Sequence, residues 1–180
     1  MISVLFLCTG NATRSVLAGA ALRARLPHLE ITTAGTLTVD GCPISIRTRA
    51  AFGAVALDVP SHKSKQAHQS HLDAADLVVA LDPEHVKWVR RAFPQSAYKT
   101  GTLRRLARDL QGGPITDEIN RMRLADVTLE AWEEVVDPGG MEADAYVTCA
   151  HDVVALIDTL AVALGASSAE SSAESSRTEA

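Results

Sequence analysis

The apolar run Val4-Leu5-Phe6-Leu7 delivers Cys8 into Thr9-Gly10-Asn11-Ala12-Thr13 and then into Arg14-Ser15, where an alanine-rich stretch begins. This order of strand, loop and helix leaves the chain few ways to fold. A C-x5-R-S loop in that setting can curl so that its backbone N–H groups converge, and the helix N-terminus adds positive potential at the same point. The expected guest is an oxyanion, and a cysteine on the rim of the nest has its thiolate stabilised by the same donors. Arg14 suits a phosphate dianion because a guanidinium takes two of its oxygens in a bidentate fork, which an ammonium cannot do. Gly10 is expected to allow a close approach or an unusual backbone conformation. Asn11 should tolerate positive φ while its amide holds the loop. Ser15 should donate to Cys8 or cap the helix. Thr9, Gly10, Asn11, Ala12, Thr13, Arg14 and Ser15 are thus the expected phosphate-binding residues, with Cys8 attacking phosphorus in line.

The rest of the chain alternates in type. Ser15 to Leu26 reads as a helix stopped by Pro27, Glu30 to Ala34 as a short β-branched strand, and Ile44 to Leu57 as a helix. Asp76 to Leu81 is a continuous apolar run, as in a parallel strand covered on both faces, and Pro83 opens a helix to about Phe93. A short strand is expected at Tyr98 to Leu103, a basic helix at Leu103 to Leu110, a polar stretch without clear period up to Asp126, and a closing helix from Met141 to Leu164. Strands alternating with helices imply a parallel sheet flanked by helices, a three-layer α/β/α domain. We place that domain at residues 1–164. Residues 165–180, two near-copies of Ser-Ser-Ala-Glu without an apolar anchor, are expected to be a disordered tail.

Composition excludes some classes of partner. The net charge of −5 argues against nucleic acid, which needs a basic face, but leaves room for a small anion pocket. No run approaches the eighteen or so apolar residues of a membrane span, and Met1 leads straight into a strand with no secretory signal. The expectation is therefore a cytoplasmic protein without a membrane partner. Cys8, Cys42 and Cys149 lack metal-ligand spacing and are expected as reduced thiols. His68, His71 and Asp73 read as solvated surface, so neither metal nor cofactor is called for.

An ester's leaving oxygen needs a proton, so a carboxylic acid should face the loop. Asp82-Pro83, at the carboxyl end of the apolar strand, and Asp137-Pro138, before the last helix, both qualify on sequence grounds.

The segment VLFLCTGNATRS resembles the signature of the low-molecular-weight protein tyrosine phosphatase family. Thr33-Ala34-Gly35-Thr36, Ser61-His62-Lys63-Ser64-Lys65-Gln66, the strand ending Leu81-Asp82, and Asp137-Pro138 resemble further family segments in the same order. The resemblance implies a four-stranded parallel sheet, a phosphocysteine on Cys8, Arg14 as phosphate clamp and Asp137 as general acid and then base. It gives Asp82 a structural role and His62 a supporting one, with Asn11 and Ser15, behind the loop. The implied substrate is a phosphorylated protein, chiefly phosphotyrosine, or a small phosphate ester.

Some positions depart from the family pattern. Thr13 stands where the family has a second loop cysteine, Val16 where it commonly has proline, and Gly139-Gly140 where many members have Tyr-Tyr. The stretch from Leu103 to Val136 is longer than usual, and Trp132 within it is a candidate substitute for the missing aromatic wall. Two other functions compete: an arsenate reductase using a small-thiol co-substrate, and a phosphate-binding module without turnover.

Overall fold

The computed structural model describes residues 1–178, with side chains through residue 167. Four parallel strands, β1 (Ser3–Cys8), β2 (Glu30–Gly35), β3 (Leu77–Ala80) and β4 (Thr100–Thr102), lie in the order β2-β1-β3-β4. The chain moves to one side of β1 for β2 and to the other side for β3. The switch point therefore falls between β1 and β3, and their carboxyl ends frame the crevice where open α/β sheets take ligands.

Alternation along β1 builds the two faces. Val4, Phe6 and Cys8 belong to a core shared with α1 (Arg14–Arg25), α2 (Ile46–Ala54), α5 (Leu103–Asp109) and α7 (Ala143–Thr178). Leu5 and Leu7 join Leu72 of α3 (Gln69–Ala74) and Val89 of α4 (Pro83–Ala92) on the other face. These are the three layers expected. α7 is long and apolar enough between Ala143 and Ser167 to cross a membrane by length and composition. Here its apolar stripe, including Val153, Ile157, Leu160 and Leu164, is buried in the core.

α7 also runs on past Leu164. Ser167 is buried and its hydroxyl donates to Ala163 O, so the domain boundary expected at 164 falls within a continuous helix. The tail expected to be disordered, residues 165–180, falls on this helix as far as Thr178, and residues 179 and 180 lie outside the described residues.

The polar stretch after Gly113 contains a helix that the sequence reading missed, α6 (Ile115–Met122). Ile115, Ile119 and Met122 fall on one face and pack on the core, with Asp117 and Glu118 in the first turn where the helix dipole favours them. The length of the 103–136 stretch is accounted for by α5, α6 and a return segment held by arginines. Arg90 donates to Leu124 O and Val127 O, and Arg104 donates to Glu134 O. Arg105 forks onto the buried carboxylate of Glu133 at 2.6 and 3.0 Å, which also accepts from Thr102 Oγ1. The segment ends with Val135 N donating to Leu81 O, which brings Asp137 to the mouth of the crevice.

Candidate active site

Cys8 ends β1, and the chain bends through residues 9–13 before α1 begins at Arg14. Asn11 takes φ 47°, the left-handed conformation its short amide tolerates. Its side chain ties the loop from behind. Asn11 Nδ2 donates to Ser15 Oγ and to Thr33 Oγ1, both at 3.0 Å, while Oδ1 accepts from Lys65 N at 3.0 Å. His62 Nε2 lies 2.8 Å from Asn11 O, which can only accept, so the ring nitrogen carries the proton. Burial pushes the His62 imidazole below its usual range, against the opposing pull of that carbonyl.

Among the described residues, the backbone N–H groups of Gly10, Asn11, Ala12 and Thr13 donate to no protein acceptor. Thr13, at the head of α1, does not cap the helix with its side chain. Its hydroxyl instead meets Thr48 Oγ1 at 2.9 Å, leaving the first-turn N–H groups open. Unspent donors around a bent loop at a helix N-terminus form an anion nest. Ser15 Oγ lies 3.0 Å from Cys8 Sγ, a distance that fits the first of the two roles considered for it, though either atom can be the donor.

Gly10 meets neither of its expected conditions within the protein itself. Its φ is not positive, and a Cβ there would meet nothing within 4 Å. The glycine that sterics require is Gly35 at the end of β2, where a Cβ would lie 2.6 Å from Thr9 O. Only glycine lets that strand end pass so close behind the loop.

Arg14 is buried and its two terminal nitrogens are both engaged. Nη1 donates to Val135 O at 3.0 Å and lies 3.8 Å from Asp82 Oδ2, while Nη2 donates to Asp137 Oδ2 at 2.5 Å. The structure thus brings both candidate acids to the clamp and separates them by environment. Asp82 caps α4, accepting Glu84 N at 2.7 Å, with its side chain 21% exposed. Asp137 is 49% exposed at the mouth, and its Oδ1 accepts Gly139 N.

One site residue escaped the sequence reading. His85, in the first turn of α4, is buried, and its Nε2 lies 3.0 Å from Thr9 Oγ1. Burial, reinforced by the nearby Arg14 guanidinium, pushes its pKa down to about 4. Its place three residues after Asp82 could have marked it, since the first turn of a helix at the switch point faces the crevice. Trp132, by contrast, is engaged by two arginines of α5. It stacks under Arg108 at 4.1 Å and Arg105 at 5.5 Å, held there by cation–π attraction.

A family model described as low molecular weight phosphotyrosine protein phosphatase matches residues 3–117. The chain is 27% identical over 159 residues to a protein-arginine-phosphatase of Geobacillus stearothermophilus, covering 88% of this chain and 93% of that one. It is 38% identical over 123 residues to a low molecular weight protein-tyrosine-phosphatase of Streptomyces coelicolor, covering 62% and 73% of the two chains. Among solved structures, the arginine phosphatase YwlE of G. stearothermophilus superposes with a TM-score of 0.77 at 26% identity, covering 94% and 97% of the two chains. The low molecular weight protein tyrosine phosphatase of T. tengcongensis gives 0.71 at 27%, covering 89% and 97%.

Proposed function

The chain belongs to the low molecular weight phosphotyrosine protein phosphatase family and is a phosphatase, and we propose that it removes phosphoryl groups from protein side chains in the cytoplasm through a phosphocysteine on Cys8. The observation that carries this reading is the loop itself: four unspent N–H donors, a buried arginine, and a cysteine sulfur 3.0 Å from a serine hydroxyl.

In the first step the Cys8 thiolate attacks phosphorus, and an S–P bond forms as the P–O bond to the leaving group breaks. Asp137, protonated, gives its proton to the departing oxygen. The loop amides and Arg14 hold the non-bridging oxygens while charge builds on them. In the second step water attacks the phosphocysteine, Asp137 takes a proton from it, and the S–P bond breaks to release phosphate and the thiolate. Ser15 steadies the sulfur in both steps, and Asn11 with His62 keeps the loop in shape. Before the first step the substrate must displace Asp137 from Arg14 Nη2, which frees the carboxyl to meet the leaving group.

Rapid-quench labelling with a phosphorylated substrate should trap a phosphocysteine on Cys8 in the wild type and no phosphocysteine in Cys8→Ser. Serine is a far poorer nucleophile without an adjacent base, so turnover in that variant should vanish while phosphate still binds. Near-normal turnover in Cys8→Ser would refute the covalent route.

A second reading concerns the leaving atom. The G. stearothermophilus relative reported above, by sequence and by structure, is named an arginine phosphatase, and the segment beside the loop offers no aromatic ring, only the exposed side chains of Leu37 and Val39. On phosphoarginine the same two steps would break a P–N bond, with Asp137 protonating nitrogen. Matched phosphotyrosine and phosphoarginine peptides, compared by kcat/KM, decide between the substrates. The relatives reported are phosphatases, which lends no support to a reductase.

A further inference from the structure

Next to Asn11 of the loop lies a cavity of about 220 Å³ lined by Arg23, Thr33, Ser61, His62, Lys63 and Lys65 among others. No carboxylate lines it. That is unusual in a chain with a net charge of −5, where most arginines at the surface sit against an acid. Among the described residues, Arg23, Lys63 and Lys65 have no carboxylate within ion-pairing distance. Arg23 donates one N–H to Ile31 O and keeps the others. Three unneutralised cations and three hydroxyl-bearing side chains, Thr32, Thr33 and Ser61, around one concavity make a site for an anion with several acceptor oxygens. The volume lies below the roughly 300–1,000 Å³ of drug-sized ligand sites, which favours a single tetrahedral group over a nucleotide.

The cavity shares its wall with the catalytic machinery. Lys65 donates its backbone N–H to Asn11 Oδ1, Thr33 Oγ1 accepts from Asn11 Nδ2, and His62 Nε2 donates to Asn11 O. All three lining residues thus hold the one loop residue with positive φ.

We propose that this cavity is a second phosphate-class site, joined to the catalytic one through Asn11. Its ligand is a tetrahedral phosphoryl group, either free inorganic phosphate or a second phosphorylated residue on a protein substrate. The site does not depend on the chemistry proposed for Cys8, so it stands or falls separately.

Equilibrium dialysis with labelled inorganic phosphate tests it. Wild type should bind two equivalents, and Lys63→Ser/Lys65→Ser should bind one, keeping the backbone N–H of residue 65 and its bond to Asn11. Arg14→Ala, which removes the catalytic clamp, should also retain one equivalent, and adding the lysine pair to it should weaken that remaining binding at least tenfold. Because Arg14 is buried and its variant could unfold, the wild-type and double-lysine stoichiometries decide by themselves. One equivalent in wild type, or two in the lysine variant, would overturn the proposal. The two sources separate by competition: a phosphoserine peptide displacing labelled phosphate from the lysine-dependent site at lower concentration than unlabelled phosphate identifies a protein-borne group, and the reverse identifies the free anion. Failure of both to displace the label would overturn the proposal as well.

Discussion

Asp137 Oδ2 sits 2.5 Å from Arg14 Nη2, so the proposed proton donor and the proposed phosphate clamp hold each other until a phosphoryl group separates them. The pair is asymmetric in setting, since Arg14 is buried and Asp137 is half-exposed. A carboxylate in that position serves as an internal competitor for the anion site, and its removal has two consequences of opposite sign.

Asp137→Asn should lose turnover on an alkyl phosphate by about 10² to 10⁴, the usual contribution of general acid–base catalysis, and far less on an activated aryl phosphate. The same variant should bind inorganic phosphate or vanadate more tightly, by about two- to fivefold, because a part-exposed ion pair is worth at most about 1 kcal/mol. Steady-state rates and inhibition constants measured on one preparation check both. Weaker anion binding in Asp137→Asn would show that the pair does not compete with the ligand.

Asp82→Ala should act first on stability. It removes the cap of α4, which costs about 0.5 to 2 kcal/mol, and one carboxylate 3.8 Å from Arg14. Thermal unfolding should show a lower Tm, with proton transfer to the leaving group intact. If Asp82→Ala instead lost the alkyl-phosphate rate selectively, the roles of the two aspartates would have to be exchanged.

The sheet, its flanking helices and the loop from Cys8 to Ser15 were legible because each rests on local signals: an apolar run, a glycine or proline stop, and a fixed spacing of nucleophile and clamp. The different surroundings of Asp82 and Asp137 were not, since Asp-Pro reads alike in both places and only the tertiary path of the 123–135 segment sets one apart from the other. That path depends on arginines reaching backbone carbonyls, such as Arg90 to Val127 O, and such contacts leave no periodic trace. α6 was hidden by its polar residues although Ile115, Ile119 and Met122 carry a helical period. The contacts of Trp132 were not legible either, because an aromatic in a long loop gives no hint that Arg105 and Arg108 will stack on it.

His85 makes stability depend on pH in a direction opposite to that of a histidine gaining an acidic partner. Its folded pKa of about 4 lies below the ordinary value of 6.5, chiefly because burial disfavours the imidazolium. Between those values the unfolded chain binds the extra proton, so the contribution of neutral His85 is complete above pH 6.5 and is lost as pH falls toward 4. His62 and His71 are lowered in the same sense. Chemical denaturation across pH 4 to 7 should show wild type losing stability with acid more steeply than His85→Asn, by up to a few kcal/mol over the window. Parallel curves for the two proteins would remove His85 as the cause.

Peroxide should inactivate the enzyme irreversibly. Thr13 offers no thiol beside the loop, Cys42 is exposed, and burial pushes the pKa of Cys149 up to about 12, so that its thiolate is scarce at neutral pH. A sulfenic acid on Cys8 then has no thiol in its own loop and only a protonated Cys149 thiol in the core to form a protective disulfide, and it proceeds to sulfinic acid. Mass spectrometry after prolonged treatment should find the dioxidised Cys8 peptide and no recovery of rate with mild thiol. A Cys8–Cys149 disulfide, with full recovery, would contradict this.

Recognition beyond the phosphoryl group should be weak, and the residue that limits it is within reach of design. The segment beside the loop is held by Leu37 N donating to Thr9 O and Thr38 Oγ1 donating to Gly10 O, which leaves Leu37 and Val39 exposed next to the mouth. Neither side chain offers a ring for a phosphotyrosine to stack on. Trp132→Ala should therefore leave KM for a phosphotyrosine peptide within about twofold, while lowering stability by about 0.5 to 1 kcal/mol through the lost contacts with Arg105 and Arg108. Val39→Tyr should do the reverse, lowering KM for that peptide by about tenfold if even the lower end of an aromatic burial, about 1.5 kcal/mol, is gained, with no gain for a small alkyl phosphate. A large rise in KM for Trp132→Ala would place the aromatic wall on the 103–136 segment after all, and an unchanged KM for Val39→Tyr would mean that the ring of the substrate never reaches this side of the loop.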